Sequence, residues 1–358
     1  MKSEKRTGRP CRNMRRNAAV LLICLLSVFM AGCGAGTDTA VRENSAPEKD
    51  KLQIGVSFDS MVQERWLKDR DIFVSTARAL GAEVNVQNAF GDVDEQIRQI
   101  DYFLGKKMDA IVVIPVETDA LSEAAARARA AGVPVISYDR MMLNTDYSLY
   151  ISVNSESVGR LMAQAIEKAM PDGGKILKIT GPMKDYNVTL LDKGFDQEIS
   201  GKGFEIVDEY YAKEWKTEEA FEYLSTHETY MSGVKAIMCG NDSLAGGVVQ
   251  YLSERRIAGQ VTVVGQDADL EACQRIVEGT QAMTAYKPIE ELASKAAECA
   301  VALAKGENIQ GTGHMSGDEY GIPYRNIEPV AVDRENIDEV VIGSGFHLRE
   351  EVYLNVND

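Results

Sequence analysis

Five short clusters carry most of the side chains able to do chemistry: Glu64-Arg65-Trp66, Tyr138-Asp139-Arg140, Gly240-Asn241-Asp242, Gly265-Gln266-Asp267 and Tyr286-Lys287-Pro288. Asp139, Asp242 and Asp267 offer acceptors, Arg65, Arg140 and Lys287 donate, and the amides of Asn187 and Asn241 do both. The chain has only two tryptophans, Trp66 and Trp215, and each sits among polar residues. A polyhydroxylated ring needs such a set. Each hydroxyl both donates and accepts, forked groups reach neighbouring hydroxyls, and the ring's C–H groups form an apolar face that lies on a flat aromatic.

Each of these residues also has a plainer role open to it. Trp66 fits the apolar stripe of its helix and would serve as core. Arg65 and Lys287 would be ordinary solvated charges, and Asp139-Arg140 a local ion pair contributing at most ~1 kcal/mol. Asn241-Asp242 would cap the helix that follows. Placement favours the functional reading, because each cluster lies just beyond a strand-like apolar run. In an open α/β sheet, ligands bind outside the carboxyl ends of the strands.

The elements that must position these clusters alternate along the chain. Strand patterns at 52–58, 83–89, 110–114 and 133–138 are separated by helical patterns at 62–80, 93–104 and 121–131. After 149–153 the scheme restarts, with strands near 175–180, 205–210, 236–239, 261–264 and 282–286. Apolar runs alternating with amphipathic helices imply right-handed crossovers and parallel sheets. The sequence predicts two Rossmann-like α/β lobes joined by a three-crossover hinge, with crossovers near 153–155, 287–289 and 324–329. The first lobe would comprise 51–153 plus 288–326, and the second 154–287 plus 327–358. No internal repeat and no Pro-rich linker marks the boundary.

The first sixteen residues carry seven basic side chains and one acid, and an uncharged apolar stretch runs from Ala18 to Gly32. This is the layout of an export signal. The stretch is shorter than the ~20 residues of a spanning helix. It ends in Met30-Ala31-Gly32-Cys33, which resembles a bacterial lipobox in which cleavage exposes a cysteine for lipidation; Met30 stands where Leu is usual. Cys33 is the expected lipidation site, and the small, polar segment 33–50 reads as a flexible tether.

Losing residues 1–32 takes the formal charge from −16 to −22. Such a surface repels nucleic acid and anionic lipid. The body retains Cys239, Cys273 and Cys299, an odd number at wide spacing that argues against a disulfide framework or a zinc site. All three sit in apolar patterns and are expected to be buried thiols, with one pairing left open.

From Lys51 onward the chain resembles the D-xylose-binding branch of the type I periplasmic sugar-binding family of ABC transport systems. The resemblance rests on Glu64-Arg65-Trp66 with Lys68-Asp69-Arg70-Asp71-Ile72-Phe73, Tyr138-Asp139-Arg140-Met141, Asn241-Asp242 with Ala245-Gly246-Gly247, Gly265-Gln266-Asp267-Ala268-Asp269 and Tyr286-Lys287-Pro288. It implies Arg65, Asp139, Arg140, Asn187, Asn241, Asp267 and Lys287 as hydroxyl partners, with Trp66 and Trp215 as stacking surfaces. Asp242 is a further candidate, either facing ligand or capping its helix.

The resemblance also implies a lipid-anchored, monomeric monosaccharide receptor, for D-xylose before other aldoses, that closes on ligand and serves an ABC permease and its ATPase. A sensor subunit for a histidine kinase is the alternative. An enzyme is disfavoured. The carboxylates suggest glycoside chemistry, yet His227, His314 and His347 lie outside every cluster and no nucleophile elbow, Walker loop or zinc-protease motif is present. No cofactor or metal motif is visible.

Overall fold

The computed structural model describes residues 51–311, 313–314 and 320–356; the expected signal 1–32, Cys33 and the segment 33–50 lie outside them. Residues Asp50–Asp358 form a compact unit of their own. Its first half runs β1 (Leu52–Phe58), α1 (Arg65–Ala79), β2 (Ala82–Asn88), α2 (Val93–Gly105), β3 (Ala110–Val113), α3 (Ser122–Ala130), β4 (Val135–Tyr138) and β5 (Leu149–Val153). Then follow α4 (Ser155–Ala169), β6 (Gly174–Thr180), α5 (Tyr186–Ile199), β7 (Phe204–Tyr211), α6 (Thr217–Thr226), β8 (Val234–Cys239), α7 (Asp242–Glu254), β9 (Thr262–Gln266), α8 (Leu270–Glu278) and β10 (Met283–Tyr286). The chain ends with α9 (Ile289–Ala304), β11 (Gly313–His314), β12 (Pro323–Ile327), β13 (Val330–Val332) and α10 (Arg349–Val352).

Two sheets result. One has the order β2-β1-β3-β4-β5-β12-β11 and the other β7-β6-β8-β9-β10-β13. Both are parallel except at β11 and β13, which pair antiparallel. The five consecutive strands of each half thus take the same order, 2-1-3-4-5, whose reversal beside the first strand leaves a crevice at the carboxyl ends. Helices cover both faces, so central strands such as Ala110–Val113 and Val135–Tyr138 are buried at every position and read as continuous apolar runs.

The chain passes between the sheets three times: from β5 into α4, from β10 into α9, and from β12 into β13. Asn154 ties two of these passages together. Its side chain accepts from Ser157 N at 3.1 Å, capping α4, and donates to Glu328 Oε1 at 3.1 Å on the third passage.

Helix α1 starts at Arg65 rather than at Val62, because residues 60–63 form the turn that leads into it, with Trp66 N donating to Gln63 O at 3.3 Å. Val62 is therefore 59 % exposed and does not join the apolar stripe. The three body cysteines are buried free thiols.

Helices α4 and α5 approach so closely that a Cβ added at Gly159 would lie 2.0 Å from Leu191 O, and one at Gly194 would lie 2.0 Å from Glu156 O. That contact fixes the start of α5, where Asn187 sits. Gly159→Ala should destabilise residues 51–358 by about 1–3 kcal/mol. A shift of the denaturant midpoint measures this, and an unchanged midpoint would show that the helices can part without cost.

Candidate functional site

Between the sheets lies a narrow cavity whose walls combine charge, amide and aromatic side chains. Every residue expected from the sequence lines it except Asp242: Arg65, Trp66, Asp139, Arg140, Asn187, Trp215, Asn241, Asp267 and Lys287. Gln63, Asp185 and Gln266 complete the wall.

Two aspartates occupy equivalent places in the two halves. Asp139 follows the fourth strand of the first and Asp267 the fourth strand of the second, both with left-handed backbone, φ 63° and 102°. Each amide donates to the neighbouring strand, Asp139 N to Ile151 O at 2.8 Å and Asp267 N to Ala285 O at 3.0 Å. Such conformations cost a side-chain-bearing residue ~1–3 kcal/mol and persist only where surrounding bonds hold them. At Asp139 the holders are visible. Its carbonyl accepts from Ser152 Oγ at 2.6 Å, Tyr150 OH at 3.1 Å and Asn187 Nδ2 at 3.0 Å.

The two carboxylates converge on Arg65. Its Nη1 is 2.8 Å from Asp139 Oδ2 and 3.9 Å from Asp267 Oδ1, while Nε and Nη2 donate to Asp69 at 3.2 and 3.1 Å. Asp69 also accepts from the Tyr138 hydroxyl. Lys287 Nζ lies 3.0 Å from Asp267 Oδ1. Burial alone would raise the Asp139 carboxyl, but Arg65, Lys287 and Arg140 outweigh it and hold it below the ordinary carboxylate range. At Asp69 burial prevails over Arg65 and pushes the carboxyl up.

Asp139 and Arg140 do not pair with each other, although they are adjacent. Arg140 instead donates through Nη1 to Asp59 Oδ2 at 2.6 Å and lies with Nε 2.7 Å from Asp185 Oδ2, the latter at the start of α5. The Arg140–Asp185 and Asn187–Asp139 contacts bridge the two halves. Trp66 packs edge-on against Phe58 and lies 4.5 Å from the Arg65 guanidinium and 5.9 Å from that of Arg140. It is both core and cavity wall, so the two roles open to it in the sequence coincide. Trp215 lies over Gly181, where a Cβ would fall 2.2 Å from its ring.

Several buried polar atoms of the wall have no hydrogen-bond partner in the protein: Gln63 Oε1, Trp66 Nε1, Trp215 Nε1 and Asn241 Nδ2. Buried polar groups are nearly always paired, and an unpaired one costs ~1–3 kcal/mol. Four converging on one cavity mark a surface prepared for a ligand bearing both donors and acceptors.

Asn241 combines two roles, since its Oδ1 caps α7 by accepting from Leu244 N at 2.9 Å while Nδ2 faces the cavity. Asp242 is placed differently from expectation. Its carboxylate turns behind the wall, accepting from Gln281 Nε2 at 2.8 Å, Thr284 Oγ1 at 2.7 Å and Asp269 N at 3.2 Å. It is a support for the turn bearing Asp267 and not part of the lining. Burial, opposed by Arg275 and these hydrogen bonds, pushes its carboxyl up to about 7. Cations thus keep Asp139 ionised, but not Asp242. Gln63 gives no signal in the sequence, because the turn between β1 and α1 looks there like the first turn of the helix.

Among known proteins, the periplasmic binding protein domain family matches residues 54–308. The chain is 41% identical to a D-xylose-binding periplasmic protein of Haemophilus influenzae, over 94% of this chain and 99% of that protein. It is 36% identical to the D-xylose-binding periplasmic protein of Escherichia coli, over 86% of this chain and 95% of that protein. An ABC transporter solute-binding protein of Clostridium phytofermentans with bound β-D-glucose superposes with a TM-score of 0.76 at 26% identity, over 84% of this chain and 99% of that one.

The placement of Asp242 makes a pH-dependent prediction. The unfolded carboxyl releases its proton near 3.8 and the folded one near 7. Its contribution to stability is therefore full below 3.8 and is lost as pH rises through the folded value, by at most ~1.4 kcal/mol per pH unit. Asp242→Asn should lower the melting temperature and flatten its decline between pH 4 and 7. Unchanged melting at every pH would place the carboxylate in the cavity after all.

Proposed function

The chain belongs to the periplasmic binding protein family, and on that premise we propose that it captures a monosaccharide, D-xylose before other aldoses, and delivers it to an ABC permease and its ATPase. The observation that carries this reading is the convergence of unpaired donors and acceptors, from both halves of the molecule, on one cavity. Trp66 and Trp215 supply the flat apolar faces, and the charged groups supply fixed hydrogen-bond partners for hydroxyls. The relatives are binding proteins, and this chain acts as a binder in the same way, without chemistry on its ligand.

The family functions outside the cytoplasm. In our reading the export signal delivers the chain there, Cys33 carries the lipid and 33–50 forms the tether. The first lobe comprises 51–153 with 288–326, and the second 154–287 with 327–358. Ligand touching both lobes stabilises the closed form, because only that form makes both sets of contacts. Discrimination follows from desolvation, since a sugar lacking one hydroxyl leaves a buried partner unpaired.

Calorimetric titration of residues 51–358 with D-xylose, D-glucose, D-ribose and L-arabinose should give tightest binding for D-xylose. Binding of none would refute the reading. Asn241→Ser retains a capping oxygen but removes the amide donor, so it should weaken D-xylose binding ~10- to 100-fold while melting stays within a few degrees. Loss of both together would mean that Asn241 serves only as a cap.

A further inference from the structure

Outward from the sugar cavity, and sharing Gln63, Arg140, Asp185 and Trp215 with it, opens a second chamber of about 370 Å³. Capture of a single sugar ring has no use for it. A chamber at the mouth of a cleft is solvent space unless its walls are built for something, and these walls are. Asp59 Oδ1, Gln63 Oε1 and Trp215 Nε1 are buried polar atoms without a protein partner, and all three residues line the chamber. Asp59 and Gln63 are less than a tenth exposed. Asp59 borders the outer chamber alone.

The rest of the wall mixes apolar Met61, Val62, Phe90, Val116 and Pro182 with polar and charged Ser60, Asn88, Lys184, Lys213, Glu214 and Lys216. Phe90 is 81 % exposed and held at φ 54°, a conformation unfavourable for a bulky residue. Asp59 Oδ1 adds an unpaired acceptor that only the outer chamber touches, while Gln63 Oε1 and Trp215 Nε1 stand where the two chambers meet. Hydroxyls satisfy that set. Arg140, Lys184, Lys213 and Lys216 also border the chamber, but an ionised carboxylate or phosphate has no hydrogen to donate to the unpaired acceptors Asp59 Oδ1 and Gln63 Oε1.

We propose that the cleft has two subsites, the inner for a pentopyranose and the outer for a second neutral sugar unit linked to it, so that the ligand range includes a pentose disaccharide. The inference rests on the sugar-binding reading of the inner cavity and adds the outer subsite to it. Gln63 and Trp215, shared between the chambers, lie where the linkage would pass, and the exposed Phe90 ring provides a face for the outer unit.

Titration of residues 51–358 with D-xylose and with β-1,4-xylobiose tests this, each repeated on Phe90→Ala, an exposed residue outside the inner wall. Xylobiose should bind within tenfold of D-xylose, and Phe90→Ala should weaken xylobiose at least fivefold while leaving D-xylose unchanged. Binding of D-xylose without xylobiose would overturn the second subsite and leave the receptor reading intact. So would xylobiose binding that ignores Phe90→Ala, since the outer unit would then lie elsewhere. Binding of neither sugar would overturn the receptor reading itself, and the extension with it.

Discussion

One guanidinium organises the centre of this molecule. Arg65 is buried with its three nitrogens directed at Asp69 of its own helix, Asp139 of one sheet and, at longer range, Asp267 of the other. Removing a cation from water costs several kcal/mol, and only close, well-oriented partners offset that cost. Because the partners come from both halves, the cage is complete only when the halves are together. Across the site three cations, Arg65, Arg140 and Lys287, face five carboxylates, Asp59, Asp69, Asp139, Asp185 and Asp267. Of these, Arg65, Arg140 and Lys287 and the carboxylates of Asp139, Asp185 and Asp267 line the cavity in equal number, and a neutral polyol meets oriented donors and acceptors there.

The second organising feature is the correspondence of the two halves. Asp139 and Asp267 end equivalent strands in equivalent left-handed turns and reach the same arginine from opposite sides. The turns aim the carboxylates across the cleft instead of along the sheet. They are held by bonds made only in this arrangement, including the one from Asn187 across the cleft to Asp139 O. Strain and cross-cleft bonding therefore depend on each other.

Much of this was legible from the chain. Alternation of apolar runs and amphipathic helices sufficed for two parallel-sheet lobes, since strands buried on both faces leave continuous apolar signatures at 110–113 and 135–138. Charged residues just past strand ends sufficed to find most of the cavity wall. What stayed hidden depends on side-chain direction. Asp242 follows Asn241 immediately, yet helix geometry turns one into the cavity and the other behind it. Asp139 and Arg140, neighbours in sequence, pair with different partners. Gln63 was concealed because a three-residue shift in a helix start converts an apparent helical turn into cavity wall.

The chain's only two tryptophans both line the cavity, and both have unpaired indole N–H groups. Intrinsic fluorescence therefore reports the site with no label and almost no background. The most direct test is the emission of residues 51–358, in wild type, Trp66→Phe and Trp215→Phe, as D-xylose is added. The account predicts a saturable change in all three proteins, since each remaining indole gains a contact when the cavity fills. A sugar that binds by calorimetry yet leaves both indoles unaltered would contradict it, because the ligand would then lie outside this cavity.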